Sequence, residues 1–337
     1  MEIIYIYLSS NALFRMHYLV VQMSTQWMRG ERRKMKKQKK TKFLLFVIPI
    51  CIVLMILCGL LIKTMISKAH NTEIKCMSFN VLGFENEGYL PVAQRAKYME
   101  TYLNESRMDL IGLQEAGNRD YNWQEDFTQR IVGEGIYKAV TIGTEKTYKE
   151  QTAEEVEGRV SNSVGLIILY KEKRFELLES GSQRYSSTEN QERHFQWAKL
   201  KDKKTDKIVF MTNTHWSIDW DENGKVSREA GDAHRTKQAN ELREFWEKNV
   251  GDHLLFATGD YNCTQNSEWL QLASTEVYKR ADAVTGKDSG VHINHIFVNS
   301  EHVNILDYQL LKDKIEIKDD LYDYSDQEPL VVTVTYK

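Results

Sequence analysis

Proline and cysteine are scarce in this chain of 337 residues, which contains 3 prolines and 4 cysteines. With so few prolines, no linker stands out inside the chain, and no repeat or low-complexity tract appears beyond one basic block. Cys51 and Cys58 lie in an apolar run, whereas Cys76 and Cys263 are far apart in the remainder. This spacing gives neither a disulfide framework nor a cysteine metal site.

Positive charge is scarce outside the first part of the chain. Residues 1–70 contain 12 Lys and Arg against 2 Asp and Glu, which leaves 33 Lys and Arg against 46 Asp and Glu for residues 71–337. The net charge of −3 therefore combines a basic beginning with an acidic remainder. An acidic body argues against a broad cationic face for nucleic acid, although a local basic groove remains open.

The start of the chain predicts a membrane anchor. Residues 1–42 end in a dense block of Lys and Arg, and residues 43–62 form a run of 20 residues without a charge. Twenty helical residues cover about 30 Å, the thickness of a bilayer core. The interpretation is a signal-anchor transmembrane helix. The alternatives are a cleaved signal peptide and a buried soluble helix.

The basic flank also predicts an orientation. Because it precedes the apolar run, the N-terminus should stay cytoplasmic and the rest of the chain should lie outside the cell membrane, as in a single-pass protein. A polar tether, residues 63–72, then leads to one globular domain, residues 73–337. The irregular first residues also raise the expectation that translation starts at Met28 or Met35.

Strand and helix patterns alternate through the globular part. Apolar residues recur at three- and four-residue spacing in segments 91–105 and 232–249, which predicts two amphipathic helices. Segment 117–160 is rich in charge and is predicted to be loop and surface helix. Short apolar runs predict strands at 74–79, 110–113, 164–170, 197–200, 207–214, 254–257, 292–298 and 330–336.

Polar residues follow many of these strands. They are Asn80, Glu115, His215, the pair Asp260 and Asn262, Asn294, and the segment 325–329 before the last strand. So many polar strand ends predict a convergence at one edge of a sheet sandwich. Glu115, Asp326 and the Asn80 carbonyl are oxygen donors of the kind that Mg²⁺ or Mn²⁺ takes. Such an ion can polarise a phosphoryl oxygen while nearby groups orient a water molecule.

Simpler structural interpretations exist for single features. The sequence Gly-Asp260-Tyr-Asn262 is typical of a strand that ends in an Asx turn. His215 alone is as readily a structural histidine. On an extended backbone, however, Asp260 and Asn262 point to the same side, where they are suited to hold a water molecule or a phosphate oxygen.

Six motifs occur in one order: Ser-Phe-Asn80, Leu-Gln-Glu115, Asn-Thr-His215, Gly-Asp260-Tyr-Asn262, Asn294-His-Ile-Phe-Val and Ser-Asp326-Gln-x-Pro. Over about residues 73–337 the chain resembles the endonuclease/exonuclease/phosphatase superfamily of metal-dependent phosphoesterases. The resemblance implies an α+β fold, a four-layer α/β/β/α sandwich of two mostly antiparallel sheets flanked by helices, preceded here by the single transmembrane helix. It also assigns Asn80, Glu115 and Asp326 to an Mg²⁺ or Mn²⁺ ion.

The resemblance implies further roles around the phosphate. Asp260 and Asn262 would orient the attacking water and the phosphate. His215 would donate a hydrogen bond to a phosphate oxygen, and Arg193 would contact the substrate phosphate.

The chain departs from the family pattern at Asn294 and Gln327, where the family has Asp and His. Both amides can form hydrogen bonds, but neither can transfer a proton near neutral pH or supply positive charge. Such acid–base help contributes roughly 10²–10⁴-fold in rate. Three explanations remain open: slower chemistry that relies on the metal and a positioned water, replacement by His292 on the same strand face, or a site that only binds.

The resulting hypothesis is a membrane-tethered, divalent-metal-dependent phosphoester hydrolase, either a phosphodiesterase or nuclease or a phosphatase, with attenuated chemistry. The substrate would be a nucleic acid, a nucleotide or a phospholipid headgroup, and no obligate protein partner is inferred. The alternatives are a non-catalytic module that binds phosphoryl ligands, and a transmembrane adhesin or scaffold. Loops 117–160 and 217–231, with Trp123, Trp216 and Trp220, are expected at the substrate rim, where the aromatics stack a base, touch lipid or simply pack.

Overall fold

The structure is a computed structural model that describes residues 47–57, 59, 72–117, 120–141, 165–188, 193–221, 223–287 and 292–337. The chain forms two compact units, Met1–Lys68 and Ala69–Lys337. In the first unit, residues 47–57 are helical and most of their large apolar side chains are exposed. No helix within the described residues is long and apolar enough to cross a membrane. Part of the predicted span 43–62 lies outside the described residues, so the anchor stays a prediction.

The second unit contains two six-stranded sheets and a small hairpin. The strands are β1 Ile74–Asn80, β2 Leu110–Gln114, β3 Tyr137–Thr141, β4 Ile167–Lys171, β5 Phe175–Arg184, β6 His194–Asp202, β7 Lys207–His215, β8 Leu254–Asp260, β9 Tyr278–Arg280, β10 Asn294–Asn299, β11 Val303–Leu310, β12 Ile315–Ile317, β13 Asp320–Tyr322 and β14 Leu330–Tyr336. The first sheet has the order β11-β14-β1-β2-β4-β3 and the second the order β5-β6-β7-β8-β10-β9, while β12 pairs with β13.

The helices connect these strands on the outside. They are α1 Val92–Ser106, a π-helix Trp123–Phe127, α2 Thr128–Gly133, α3 Arg228–Asn249, α4 Glu268–Ala273 and α5 Ala281–Thr285. Helix α3 begins at Arg228 because Ser227 caps it, its side chain accepting a hydrogen bond from the Ala230 amide. The predicted start at residue 232 is therefore one turn too late.

Both faces of each sheet are covered by apolar side chains. In the core between the sheets, Cys76 of β1 packs in the same cluster as Val209 of β7. Met77, the next residue, points to the opposite face and packs with α1. Trp246 of α3 packs on the outer face of the second sheet with Leu255 of β8. The predicted α+β sandwich of two sheets flanked by helices is thus confirmed.

Each sheet is mixed, since it contains one parallel pair among antiparallel neighbours. The parallel pairs are β1 with β2 and β7 with β8. Parallel neighbours need a crossover connection, which α1 and α3 provide. The carboxyl ends of each pair therefore lie at the same edge. A hydrogen bond of 3.1 Å from the Gly259 amide to Ser78 Oγ joins β8 to β1, so both edges meet.

The structure corrects several predicted elements. Segment 117–160 contains the strand β3 in its described part, and β5 was not predicted at all. Both lie at sheet edges: β3 is a short strand in a charged segment, and β5 has mostly exposed residues that break the apolar pattern. Strand β6 begins at His194 rather than at residue 197, because it pairs along its whole length with β5.

Candidate active site

One amide joins the ends of three strands. Asn80 Nδ2 donates to Glu115 Oε1 over 2.8 Å and to Asp260 Oδ2 over 2.9 Å. Ionised carboxylates only accept hydrogen bonds, so the nitrogen of the Asn80 amide must face them. Asn80 Oδ1 accepts the Leu82 amide over 3.0 Å. Asn80 therefore holds the carboxylates of the two sheets together, and its oxygen, the predicted metal donor, is turned toward the loop after β1.

His215 completes the cluster from the end of β7. It lies beside Asp260 in the parallel ladder, with its Nε2 3.9 Å from Asp260 Oδ2. Potential ligand atoms of Glu115, His215 and Asp260 all lie within 4.8 Å of one another. The structure thus brings together four of the residues that the strand ends singled out.

An unusual backbone conformation orients Glu115. Glu115 has a left-handed φ of 58°, which costs a non-glycine residue about 1–2 kcal/mol. The loop after β1 presses against it, because a Cβ on Gly83 would lie 1.7 Å from the Glu115 carbonyl oxygen. Only glycine fits at position 83. Local strain of this kind persists where the surrounding structure enforces it.

Asn262 departs from the expected extended backbone. Its φ is 48°, and its amide donates to Asp260 Oδ1 over 2.9 Å. Its side chain donates from Nδ2 to the Trp216 carbonyl over 2.8 Å. The expected extended backbone is therefore absent at Asn262. An Asx turn is formed, and it leaves the other oxygen of Asp260 in the cluster.

Burial makes the cluster electrostatically unusual. Burial raises the pKa of Glu115 to about 7, the negative charges of Asp260 and Asp326 add to the shift, and the Asn80 hydrogen bond and the Arg193 charge oppose it. Burial also raises the pKa of Asp260. It lowers the pKa of His215 well below its ordinary value, and Arg193 lowers it further. His215 is therefore neutral at neutral pH.

The donor set fits a hard divalent cation. Among the residues that the structure describes, neither Glu115 Oε2 nor His215 Nδ1 has a hydrogen-bond partner, and both atoms are buried, which is costly unless a ligand is bound. The raised pKa values of Glu115 and Asp260 show that their ionised forms are disfavoured. A divalent cation between the two carboxylates would stabilise those ionised forms. Asp326, a predicted ligand, is exposed and lies outside the cluster of Glu115, His215 and Asp260. Its Oδ1 accepts Ser325 Oγ over 3.1 Å.

Asn294 and Gln327 form a chain of side-chain hydrogen bonds that ends on Asp260. Gln327 Nε2 donates to Asp260 Oδ2 over 2.9 Å, and Asn294 Nδ2 donates to Gln327 Oε1. Because Asp260 only accepts when ionised, the Gln327 amide has one possible orientation. Asn294 Oδ1 is buried without a partner. Neither side chain of this pair titrates near neutral pH.

Arg193 and His292 occupy different surroundings. Arg193 is buried, and its charge influences the pKa of Glu115, Asp260 and His215. His292 precedes β10 rather than lying on it. Its Nδ1 lies against the carbonyl oxygen of Asn294, two residues along the chain, and its Nε2 is 3.2 Å from the Tyr308 hydroxyl.

A buried polar network beneath the cluster was not predicted. Gln114 Nε2 donates to Asn213 Oδ1 over 2.7 Å and to Ser78 Oγ over 3.2 Å, and Thr258 Oγ1 donates to Asn213 Oδ1 over 3.1 Å. These side chains are fully buried between the sheets. Each lies one or two positions before a cluster residue. Polar residues inside otherwise apolar strands were the available signal.

The aromatic rim prediction is wrong for two of its three tryptophans. Trp123 and Trp216 are fully buried. Trp216 donates from Nε1 to the Tyr185 hydroxyl over 3.1 Å and packs edge-on against Tyr261. Trp220 is partly exposed. Trp123 and Trp216 therefore support the loops beneath the site, which is the packing alternative.

Solved structures share this fold at low sequence identity. The catalytic domain of human Nocturnin with bound sulfate aligns at 16% identity, over 79% of this chain and 94% of that chain, with a TM-score of 0.59. A mannosyl-6-phosphatase of Bacteroides thetaiotaomicron aligns at 16% identity, over 78% and 99%, with a TM-score of 0.57. D. rerio TDP2 with a single-stranded DNA product aligns at 15% identity, over 78% and 99%, with a TM-score of 0.57. At such identities the likeness shows the fold alone.

The sequence itself gives the family. No curated protein sequence matches this chain. The model of the endonuclease/exonuclease/phosphatase family matches residues 77–326, a range that contains Asn80, the cluster of Glu115, His215 and Asp260, and Asp326. The chain therefore belongs to the endonuclease/exonuclease/phosphatase family.

Proposed function

We propose that this protein is a divalent-metal-dependent phosphoester hydrolase whose proton transfer is attenuated. One observation carries the proposal: Glu115, Asp260 and His215 converge within 4.8 Å, and Glu115 Oε2 is buried without a partner. Family membership supports the reaction class, since the family comprises phosphoesterases.

Glu115, Asp260 and His215 would hold an Mg²⁺ or Mn²⁺ ion, and Asp326 would approach it from the exposed side. When bound, such an ion polarises a phosphoryl oxygen and stabilises the leaving alkoxide. Asn80 fixes the separation of the two carboxylates through its two hydrogen bonds. Asn262 acts indirectly, because it holds both Asp260 Oδ1 and the Trp216 carbonyl.

Arg193 supplies positive charge beside the cluster. It is buried beside the cluster, so its charge is only weakly screened and attracts a phosphate anion. His215 is neutral because its pKa is lowered. A neutral imidazole can donate from one nitrogen to a phosphate oxygen while the other nitrogen accepts or binds a metal.

The attenuation follows from Gln327 and Asn294. The Gln327 amide can orient Asp260 and a phosphate oxygen, but it cannot take a proton from water or give one to a leaving group. Asp260 would be left as the nearest proton acceptor. Its Oδ2 already accepts from Asn80 and from Gln327, which reduces its basicity.

We also propose that residues 43–62 anchor the protein in the cell membrane, with the catalytic domain outside. Support comes from the uncharged run and its basic flank. The phosphoester would then be a nucleic acid, a nucleotide or a phospholipid headgroup that reaches this face. The fold neighbours named above include proteins described as a phosphatase and as bound to DNA, so both monoesters and diesters are tested.

The test is hydrolysis by the purified full-length protein. Bis(p-nitrophenyl) phosphate, p-nitrophenyl phosphate, DNA, RNA and phospholipid vesicles are compared at fixed salt with Mg²⁺, Mn²⁺, Ca²⁺ or EDTA. We expect turnover of at least one substrate that needs Mg²⁺ or Mn²⁺ and is lost in Glu115→Gln. Turnover that persists in EDTA, or no turnover with any substrate, would contradict the proposal.

A second function, binding of phosphorylated ligands without catalysis, is favoured by one observation. The hydrogen bond between Asn294 and Gln327 puts two non-titrating groups at the dyad position. This function predicts metal-dependent binding of a phosphorylated ligand without product formation.

A further inference from the structure

Arg95 is a fully buried cation, and in the described part of the chain its hydrogen-bond partners are all backbone carbonyls. It lies in the second turn of α1 and is 0% exposed. Burial of an unpaired charge is costly unless its hydrogen-bonding groups are satisfied. Burial lowers the pKa of Arg95, while the negative charges of Glu85, Asp326 and Glu115 oppose the shift. A residue this unusual near the cluster needs an explanation.

The guanidinium satisfies its donors with backbone carbonyls. Nε donates to Leu90 O over 2.9 Å, Nη1 to Val81 O over 3.1 Å, and Nη2 to Leu82 O and Phe84 O over 2.8 Å each. Three of these carbonyls belong to the loop that follows Asn80. The remaining carbonyl of that loop, at Gly83, accepts Trp123 Nε1 over 2.7 Å. Arg95 and Trp123 thus hold all four carbonyls of residues 81–84.

The fifth contact of Arg95 reaches the other side of the site. Nη1 also donates to Tyr324 O over 3.1 Å. Tyr324 immediately precedes Ser325, Asp326 and Gln327. A single NH₂ group therefore bridges the loop after β1 and the loop before β14. Guanidinium has five N–H donors in a fixed planar geometry, so it constrains both loops at once.

The loop after β1 also contacts Asn80 and Glu115, whose side chains are hydrogen-bonded to each other. The Leu82 amide donates to Asn80 Oδ1, and Gly83 contacts the carbonyl of Glu115. A shift of residues 81–84 must therefore turn the Asn80 amide and move Glu115. A shift of Tyr324 must move Asp326 and Gln327.

We propose that Arg95 is a positioning residue that sets the separation between the Asn80–Glu115 side and the Asp326–Gln327 side of the site. Its role in the reaction rests on the proposed function, whereas its bridging of the two loops does not. Loss of supporting contacts around metal sites typically lowers metal affinity or activity by 10–100-fold.

The test uses Arg95→Lys in the full-length protein, with Arg174→Lys as a matched control. Arg174 is also a buried arginine, but it bridges Asp109 and Asp202, and Asp109 precedes the opposite end of β2. Lysine keeps the charge and loses the planar set of donors. We expect Arg95→Lys to speed hydrogen exchange in peptides 80–85 and 322–327 together, and to weaken Mg²⁺ binding about 10–100-fold.

The control should lower the melting temperature without either change. Trp123→Phe removes only the hydrogen bond to the Gly83 carbonyl. It should speed hydrogen exchange in peptide 80–85 and leave exchange in peptide 322–327 unchanged. This variant also tests the loop if Arg95→Lys does not fold. The proposed bridge through Arg95 is wrong if folded Arg95→Lys shows unchanged hydrogen exchange in both peptides. It is also wrong if Trp123→Phe speeds hydrogen exchange equally in both. If the wild-type protein binds no Mg²⁺ or Mn²⁺, the proposed function fails and the exchange result still decides the role of Arg95.

Discussion

Gln327 Nε2 donates a hydrogen bond to Asp260 Oδ2 over 2.9 Å. This contact connects the loop before β14 to the end of β8, across the two sheets. The donor is the amide of Gln327, at a position where the family resemblance predicts a histidine, and the acceptor is the carboxylate of Asp260. Asn80 occupies the same oxygen from the other side. The side-chain amides of Gln327 and Asn80 therefore both hold Asp260 Oδ2 in place.

The first prediction concerns the amide pair. Gln327→His together with Asn294→Asp restores a titrating dyad, and we expect phosphodiesterase turnover to rise by about 10²-fold or more, as general acid–base catalysis contributes. The rate should also become pH-dependent near the histidine pKa. The measurement is kcat on bis(p-nitrophenyl) phosphate against pH.

Asn294→Asp alone is the control for that prediction. It supplies the carboxylate without an imidazole, so the rate should not increase. If the wild-type protein is inactive and the double variant is active, the binding function is favoured. A double variant that folds, binds Mg²⁺ and is no faster than the wild type contradicts the attenuation.

The second prediction concerns stability without metal. The pKa of Glu115 is raised from 4.5 to about 7 in the folded protein, so its contribution to stability is fully present below pH 4.5 and is lost as the pH rises through about 7. The shift corresponds to about 3 kcal/mol. Glu115→Gln cannot ionise. In EDTA at pH 8 we therefore expect the variant to melt at a higher temperature than the wild type.

The same experiment at pH 5 supplies the comparison, because there the wild-type carboxyl is protonated and the difference in melting temperature should shrink. A variant that melts lower than the wild type at pH 8 in EDTA would show that the ionised Glu115 is stabilised by the protein alone.

The third prediction concerns metal binding. An ion that binds only the folded state stabilises it by about 2.7 kcal/mol at 100 times its Kd. We expect Mg²⁺ or Mn²⁺ to raise the melting temperature of the wild type, and to do so more at pH 8 than at pH 6, since protons compete for Glu115. Glu115→Gln should lose most of this rise. An equal rise in both proteins would place the ion elsewhere.

The fourth prediction concerns Gly83. Its missing Cβ makes room for the Glu115 carbonyl, which would lie 1.7 Å away. Gly83→Ala must displace backbone, and we expect a loss of about 3 kcal/mol or more in the free energy of unfolding together with weaker Mg²⁺ binding. Gly133→Ala is the control, since a Cβ there meets nothing within 4 Å at the end of α2. It should be neutral or slightly stabilising.

The sequence was sufficient for the central strands and for the polar residues at their ends. β1, β2, β7 and β8 are largely buried on both faces, so apolar residues dominate them, and each ends at or just before a polar residue of the site. Their convergence followed from the order of the motifs. The edge strand β5 was missed because its exposed polar residues hide the pattern, and β3 because it is only five residues long in a charged segment.

Other features depend on contacts that no local pattern contains. Asn262 adopts a left-handed turn and uses its side chain to hold Trp216, which strand alternation could not reveal. Arg95 lies in the predicted helix 91–105 and was not singled out, yet it is buried and donates to distant carbonyls at Val81 and Tyr324. His215 enters the potential metal cluster through the parallel pairing of β7 and β8.

The most direct test of the central claim is the anomalous difference map of a crystal of this protein soaked in Mn²⁺. The account predicts one strong peak beside Glu115 Oε2, within reach of the Asp260 carboxylate and the His215 imidazole. A map with no peak at this cluster, or with its strongest peak elsewhere on the domain, would contradict the account.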